Sequence, residues 1–182
     1  MKASLKNATV LFTDIRKFTS LSEDKEPGHI IDMLNEHFTH ITEVIIRHGG
    51  HIDKFVGDAA MAVFGFTKET PNHAVDAVKA ALEIMELVEK NALKNRATTQ
   101  TLRIGIGINT GDMVSGNLGS PKKMEYTVIG DAVNIASRLT SLAEPGELLI
   151  SEQTHEQLNP LDDLNFKEKG LIHIKGRKIK IR

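Results

Sequence analysis

Apolar residues follow two rhythms along this chain, one helical and one alternating. From Pro27 to His48, Ile30, Ile31, Leu34, Phe38, Ile41, Val44 and Ile45 recur at helical spacing; Pro27 suits a first turn and Gly49-Gly50 a stop. From Pro71 to Asn95, Ala74, Val78, Ala81, Leu82, Met85 and Val88 mark a second amphipathic helix. A third helix is predicted from about Asp131 to Leu142. Ala8 to Phe12 is a short β-rich run ending in Thr13-Asp14, and His51 to Val56 and Ala59 to Phe64 are strand-like runs joined by the turn-forming Gly57-Asp58. Leu102, Ile104, Ile106 and Ile108 alternate with Arg103, Gly105, Gly107 and Asn109, which predicts a half-buried strand. After Asp112 to Gly116 comes a Gly/Ser/Pro/Lys excursion through Lys123; a strand from Glu147 to Ser151 follows, then short strands between Phe166 and Ile181 with turns at Gly170 and Gly176.

Strand, helix, hairpin, helix, strand is the order of an α+β fold with a ferredoxin-like βαββαβ core, here followed by C-terminal α/β additions. A right-handed crossover makes the first two strands parallel with the third between them. Asp14, at the end of the first strand, is therefore expected to meet Asp58 in the hairpin turn. A chain of 182 residues with 40% hydrophobic content is expected to form a single domain, residues 1–182. The net charge of -1 gives no pull toward nucleic acid or an anionic membrane, and the absence of cysteine excludes disulfides and thiolate chemistry. No apolar run long enough for a signal peptide or a spanning helix occurs, so no membrane contact is expected of this segment.

Two converging carboxylates, Asp14 and Asp58, suit a hard-oxygen site for Mg²⁺ or Mn²⁺, whose remaining ligands come from water and substrate phosphates. The alternative is purely structural, Asp58 making the turn and Asp14 capping the next segment; the topology favours the metal. Asn134 and Arg138, four apart on one helix face, can orient a sugar and neutralise a phosphoryl group, although such a pair is also common on solvated faces. Lys54 lies in an apolar strand on the face expected to carry Ile52 and Val56, as an edge guard or a donor to a nucleobase. His37, His40, His48 and His51 fit no zinc pattern and read as a solvated helix face or turn residues; Gly105-Ile-Gly107 with Gly111 is a poor echo of a dinucleotide fingerprint.

Three ordered stretches carry a family resemblance: Phe12 to Thr19 (FTDIRKFT), Gly50 to Gly65 (GHIDKFVGDAAMAVFG) and Tyr126 to Leu139 (YTVIGDAVNIASRL). They resemble the signature stretches of class III nucleotide cyclases, and the likeness runs from about Ala8 to Lys175. The resemblance implies two divalent metal ions, Mg²⁺ or Mn²⁺, held by Asp14, Asp58 and the backbone of Ile15. Phe18 and Thr19 would lie against the triphosphate, Lys54 and Thr127 would read the base, Asn134 would position the ribose, Arg138 would stabilise the transition state and Lys175 would contact phosphate. It implies a homodimer with shared active sites, ATP as substrate, a cytoplasmic location for this domain, and regulatory domains in a longer parent that is soluble or membrane-anchored. Lys17 stands where many relatives carry glycine.

The substrate follows from hydrogen-bond polarity. Adenine presents an acceptor at N1 and a donor at N6, and guanine presents the reverse. A lysine ammonium only donates and a threonine hydroxyl can accept, so Lys54 and Thr127 together point to ATP. The expected activity is adenylate cyclase, forming cyclic AMP and pyrophosphate; guanylate cyclase and an idle nucleotide-binding module are the alternatives.

Overall fold

A computed structural model describes residues 4–23, 25–66, 70–94, 102–158, 164–174 and 177–181. Among these described residues, eight strands and five helices follow in the order β1 (Ser4–Ile15), α1 (Phe18–Ser22), α2 (Pro27–Arg47), β2 (His51–Val56), β3 (Ala59–Phe64), α3 (His73–Lys94), β4 (Ile104–Ser120), β5 (Lys123–Ile129), α4 (Asp131–Leu142), β6 (Glu147–Ile150), α5 (Glu152–His155), β7 (Gly170–Ile174) and β8 (Arg177–Ile181). The main sheet runs β2-β3-β1-β4-β5, with β6 pairing parallel to β4, and β7 and β8 form a separate ladder. Because β3 is antiparallel to both β1 and β2, those two are parallel with β3 between them, the ferredoxin-like arrangement.

Alternation along β1 divides the core between the two sheet faces. Leu11 and Ile15 join Ile106 and Ile108 beneath α2 and α3, which bury Ile41, Val44, Ala77 and Val78. Ala8 and Val10 join Met61, Val63 and Met113 beneath α4, which buries Ala132 and Ala136. Residues 104–110 of β4 are all buried, so this strand is covered on both faces, not half-buried as its alternation suggested. The glycines explain how. A Cβ on Gly107 would lie 2.2 Å from the backbone nitrogen of Thr140, so only glycine lets α4 settle on the sheet there. A Cβ on Gly105 would overlap the Arg16 guanidinium, which crosses that strand to donate to the Thr140 carbonyl.

Two further expectations change. The excursion through Lys123 is a β-hairpin: β4 continues to Ser120, which pairs with Lys123 at the start of β5. Its residues had no alternation to read because the far half of the arm is exposed. Gly170 opens β7 instead of making a turn, and Gly176 lies outside the described residues. No helix among the described residues is long and apolar enough to cross a membrane.

Candidate active site

The sheet register places the acidic pair. Thr13 faces Ala60 across the β1–β3 ladder, so Asp14 emerges beside the hairpin turn, where Gly57 adopts φ 62° and Asp58 follows. The two carboxylates come close enough for each to act on the other's charge. Burial first, and then the contact and charge of Asp58, push the Asp14 carboxyl up to about 6 against the opposing pull of Arg16 and the Ile15 peptide N–H. Arg16 Nη1 stands 3.3 Å from Asp14 Oδ2. Ile15 buries its side chain in the core, which leaves its backbone beside the pair. Among the described residues no cluster of three or more His, Asp or Glu side chains forms a complete metal cage. Two hard oxygens under mutual repulsion fit a cation that completes its shell with backbone, water and phosphate.

His37 corrects the expectation of a solvated helix face. It is buried on α2, and burial, with a smaller push from His40, lowers its pKa to about 4 although Asp58 draws it upward. The ring is therefore neutral near pH 7. Phe18 and Thr19 begin α1 directly after Lys17, which holds φ 58°, the one non-glycine residue at positive φ among those described. Phe18 packs toward the core and Thr19 is exposed.

A second polar group joins the two edges of the sheet. Thr127 on β5 donates from Oγ1 to Asp53 Oδ2 at 2.7 Å, Lys54 Nζ lies 3.6 Å from that oxygen, and Lys54 donates to Glu125 Oε2 at 3.2 Å. Lys54 departs from the expected face. The β2–β3 register shifts between Ile52 and Lys54, so Ile52 pairs with Ala62 and Lys54 with Met61. That bulge at Asp53 turns Lys54 away from the Ile52 face and onto the face of Met61, beneath α4. Asp53 and Glu125 were not singled out by the sequence; a carboxylate beside a strand lysine was the available signal.

Asn134 and Arg138 sit on the outer face of α4, opposite its buried Ala132, Ala136 and Leu139, and both are exposed. Neither makes a side-chain hydrogen bond or ion pair among the described residues. Lys175 lies outside the described residues. One chain thus brings together Asp14 with Asp58, and Lys54 with Thr127, while no side-chain hydrogen bond or ion pair among the described residues links either group to Asn134 or Arg138. Exposed apolar side chains flank these groups: Phe55 and Val56 on β2, and Leu118, Met124, Tyr126 and Ile129 on the β4–β5 arm.

The sequence profile for the adenylate and guanylate cyclase catalytic domain matches residues 1–182. The chain belongs to this family. The cyclase domain is 35% identical over 178 residues to the terminal-differentiation specific adenylate cyclase of Dictyostelium discoideum, covering 96% of this chain and 8% of that protein. It is 37% identical over 164 residues to the adenylate cyclase of Anabaena cylindrica, covering 86% of this chain and 32% of the relative. It therefore spans less than a third of the length of these relatives. Its fold superposes on the crystal structure of the adenylyl cyclase CyaB from P. aeruginosa with a TM-score of 0.90 and 37% identity, covering 100% of this chain and 94% of that one. The guanylyl cyclase Cya2 gives a TM-score of 0.87 and 33% identity, covering 100% and 92%. The class III cyclase fold is common to both activities, so the nucleotide has to be argued from this chain's own residues.

Proposed function

We propose that this cyclase domain converts ATP to 3',5'-cyclic AMP and pyrophosphate at active sites shared across a homodimer. The observation that carries the proposal is the placement of Asp14, at the end of β1, beside Asp58 in the β2–β3 turn, where burial and the Asp58 charge raise Asp14 to about 6. Such a pair is strained at neutral pH without a cation between the carboxylates. Two divalent ions, Mg²⁺ or Mn²⁺, held by Asp14, Asp58 and the Ile15 carbonyl, would supply the charge that acidifies the ribose 3'-hydroxyl and offsets the triphosphate.

The chain's own residues then bind and orient. Lys54 donates to adenine N1 and Thr127 Oγ1 accepts from N6. A buried polar group left unpaired against GTP costs about 1–3 kcal/mol. Asn134 fixes the ribose, Arg138 neutralises charge building on the α-phosphoryl group, and Phe18, Thr19 and Lys175 lie along the phosphates. The 3'-oxygen forms a bond to the α-phosphorus as the bond to the bridging oxygen breaks. Pyrophosphate leaves, and the hydroxyl proton passes to solvent.

The division of labour supports a dimer. Asn134 and Arg138 are exposed and unengaged among the described residues, and apolar side chains such as Val56, 60% exposed, surround the groups they would complete. The short share of its relatives' length supports regulatory domains elsewhere in a longer parent. Purified protein incubated with ATP or GTP and Mn²⁺ should give cyclic AMP with far less cyclic GMP, and Asp58→Ala and Arg138→Ala should each abolish it. A folded, dimeric protein that forms no cyclic product would refute the proposal.

A further inference from the structure

Asp53 lies where the two edges of the sheet meet, and its side chain is only 2% exposed. As the extra residue of the β2 bulge it shares the position opposite Met61 with Lys54, a device that re-aims side chains next to functional sites. Its Oδ2 receives the Thr127 hydroxyl proton at 2.7 Å; the other acceptor in reach, the Val128 carbonyl, is 3.5 Å away. A carboxylate accepts and never donates, so the direction of the shorter bond is fixed.

We infer that Asp53 is a specificity-determining positioning residue, holding the Thr127 hydroxyl as a hydrogen-bond acceptor toward the base and so selecting adenine over guanine. This rests on the reading of Lys54 and Thr127 as the base-contacting pair. A threonine hydroxyl has one proton. With that proton committed to Asp53, only oxygen lone pairs remain to face the nucleotide. The amino group on adenine C6 donates into those lone pairs. The carbonyl on guanine C6 meets them acceptor to acceptor. Threonine alone is ambivalent, because a freely rotating hydroxyl could turn and donate to that carbonyl. The sense of recognition is therefore set by Asp53 through Thr127, while Lys54 stands close to the same carboxylate and donates to N1.

The simpler role for Asp53 is a clasp between β2 and β5. A clasp alters stability, and it alters turnover of ATP and GTP together. A polarity lock alters their ratio and acts only through Thr127. The test measures kcat/KM for ATP and for GTP with Mn²⁺ in wild type, Asp53→Ala, Asp53→Asn, Thr127→Val and the Asp53→Ala/Thr127→Val double variant, with urea midpoints alongside. Freeing one hydroxyl to satisfy guanine is expected to lower the ATP/GTP ratio about tenfold in Asp53→Ala. Asp53→Asn, whose neutral amide holds the hydroxyl less firmly, shifts the ratio the same way by a smaller factor and serves if the alanine variant does not fold. In the Thr127→Val background, Asp53→Ala leaves the ratio unchanged. A wild type that favours ATP, with the ratio unaltered in Asp53→Ala and Asp53→Asn, overturns the lock and leaves the base-contact reading standing. An equal shift in the Thr127→Val background also overturns it, because Asp53 would then act by another route. A wild type that cyclises both nucleotides equally removes the base-contact reading and this inference with it.

Discussion

Gly107→Ala is the sharpest test of how the sheet holds the helix that carries Asn134 and Arg138. Gly107 faces Phe12 in the β1–β4 ladder, and a Cβ there would lie 2.2 Å from Thr140 N and 2.6 Å from Ala136 O, both backbone atoms of α4. Carbon contacts are comfortable at about 3.5–4.0 Å, so the helix backbone has to withdraw by more than about 1 Å. Overpacking of this kind costs about 1–3 kcal/mol. Withdrawal also loosens the Thr140 hydroxyl from the Phe12 carbonyl, 3.3 Å away, and the Arg16 guanidinium from the Thr140 carbonyl. Each of those bonds adds about 1 kcal/mol, against a return of about 0.5–1 kcal/mol from replacing glycine in a strand. The net expectation is a loss of about 3 kcal/mol. Because the displaced helix carries both Asn134 and Arg138, turnover should also fall, by up to about 100-fold for a 1 Å misplacement. Urea denaturation reads the stability, and cyclic AMP formation at a temperature where the variant remains folded reads the activity. Gly116→Ala is the control, since a Cβ there meets nothing within 4 Å. A Gly107→Ala protein as stable and as active as wild type would refute this account of α4.

The acidic pair predicts that protons compete with metal. With Asp14 at about 6, the carboxylate is about 97% ionised at pH 7.5 and about 9% at pH 5.0, so Mn²⁺ affinity measured by calorimetry should fall about tenfold between them; affinity that stays flat to pH 5.0 would contradict the raised value. The same shift sets a sign for the metal-free protein. Asp14 contributes stability below its ordinary value of 3.8, and that contribution is lost as pH rises through about 6, so metal-free Asp14→Asn should gain on wild type in urea midpoint as pH rises across that window. Lys17→Gly removes an exposed side chain from φ 58° and should stabilise by up to about 1 kcal/mol, strain relief being partly offset by the freer unfolded chain; a lower urea midpoint would show that Lys17 is held there by favourable contacts.

The ferredoxin-like core was legible because its helices carry one apolar stripe and its strands are short apolar runs bounded by turns. The spacing of α2 marks the stripe, the runs of β1 and β3 mark strands buried on both faces, and the meeting of Asp14 and Asp58 followed from strand order alone. The β4–β5 arm was not legible. Leu118, Met124 and Tyr126 are exposed there, so burial leaves no pattern, and pairing between the two strands is what defines the arm. The five residues of α1 are too few to display a helical period. Lys54 was assigned to the wrong face because strict alternation assumes an unbroken strand, and the bulge at Asp53 adds the residue that reverses it. Gly105 and Gly107 looked like a faint nucleotide motif; their role in the structure is to clear space for Arg16 and α4.

Mixing the Asp58→Ala and Arg138→Ala proteins tests the shared site most directly. Each variant alone should be inactive. After subunit exchange, half of the dimers are mixed and each carries one intact site, so activity should return to about a quarter of the wild-type value. Mixed dimers isolated through two different tags and still inactive would contradict the division of each active site between two chains.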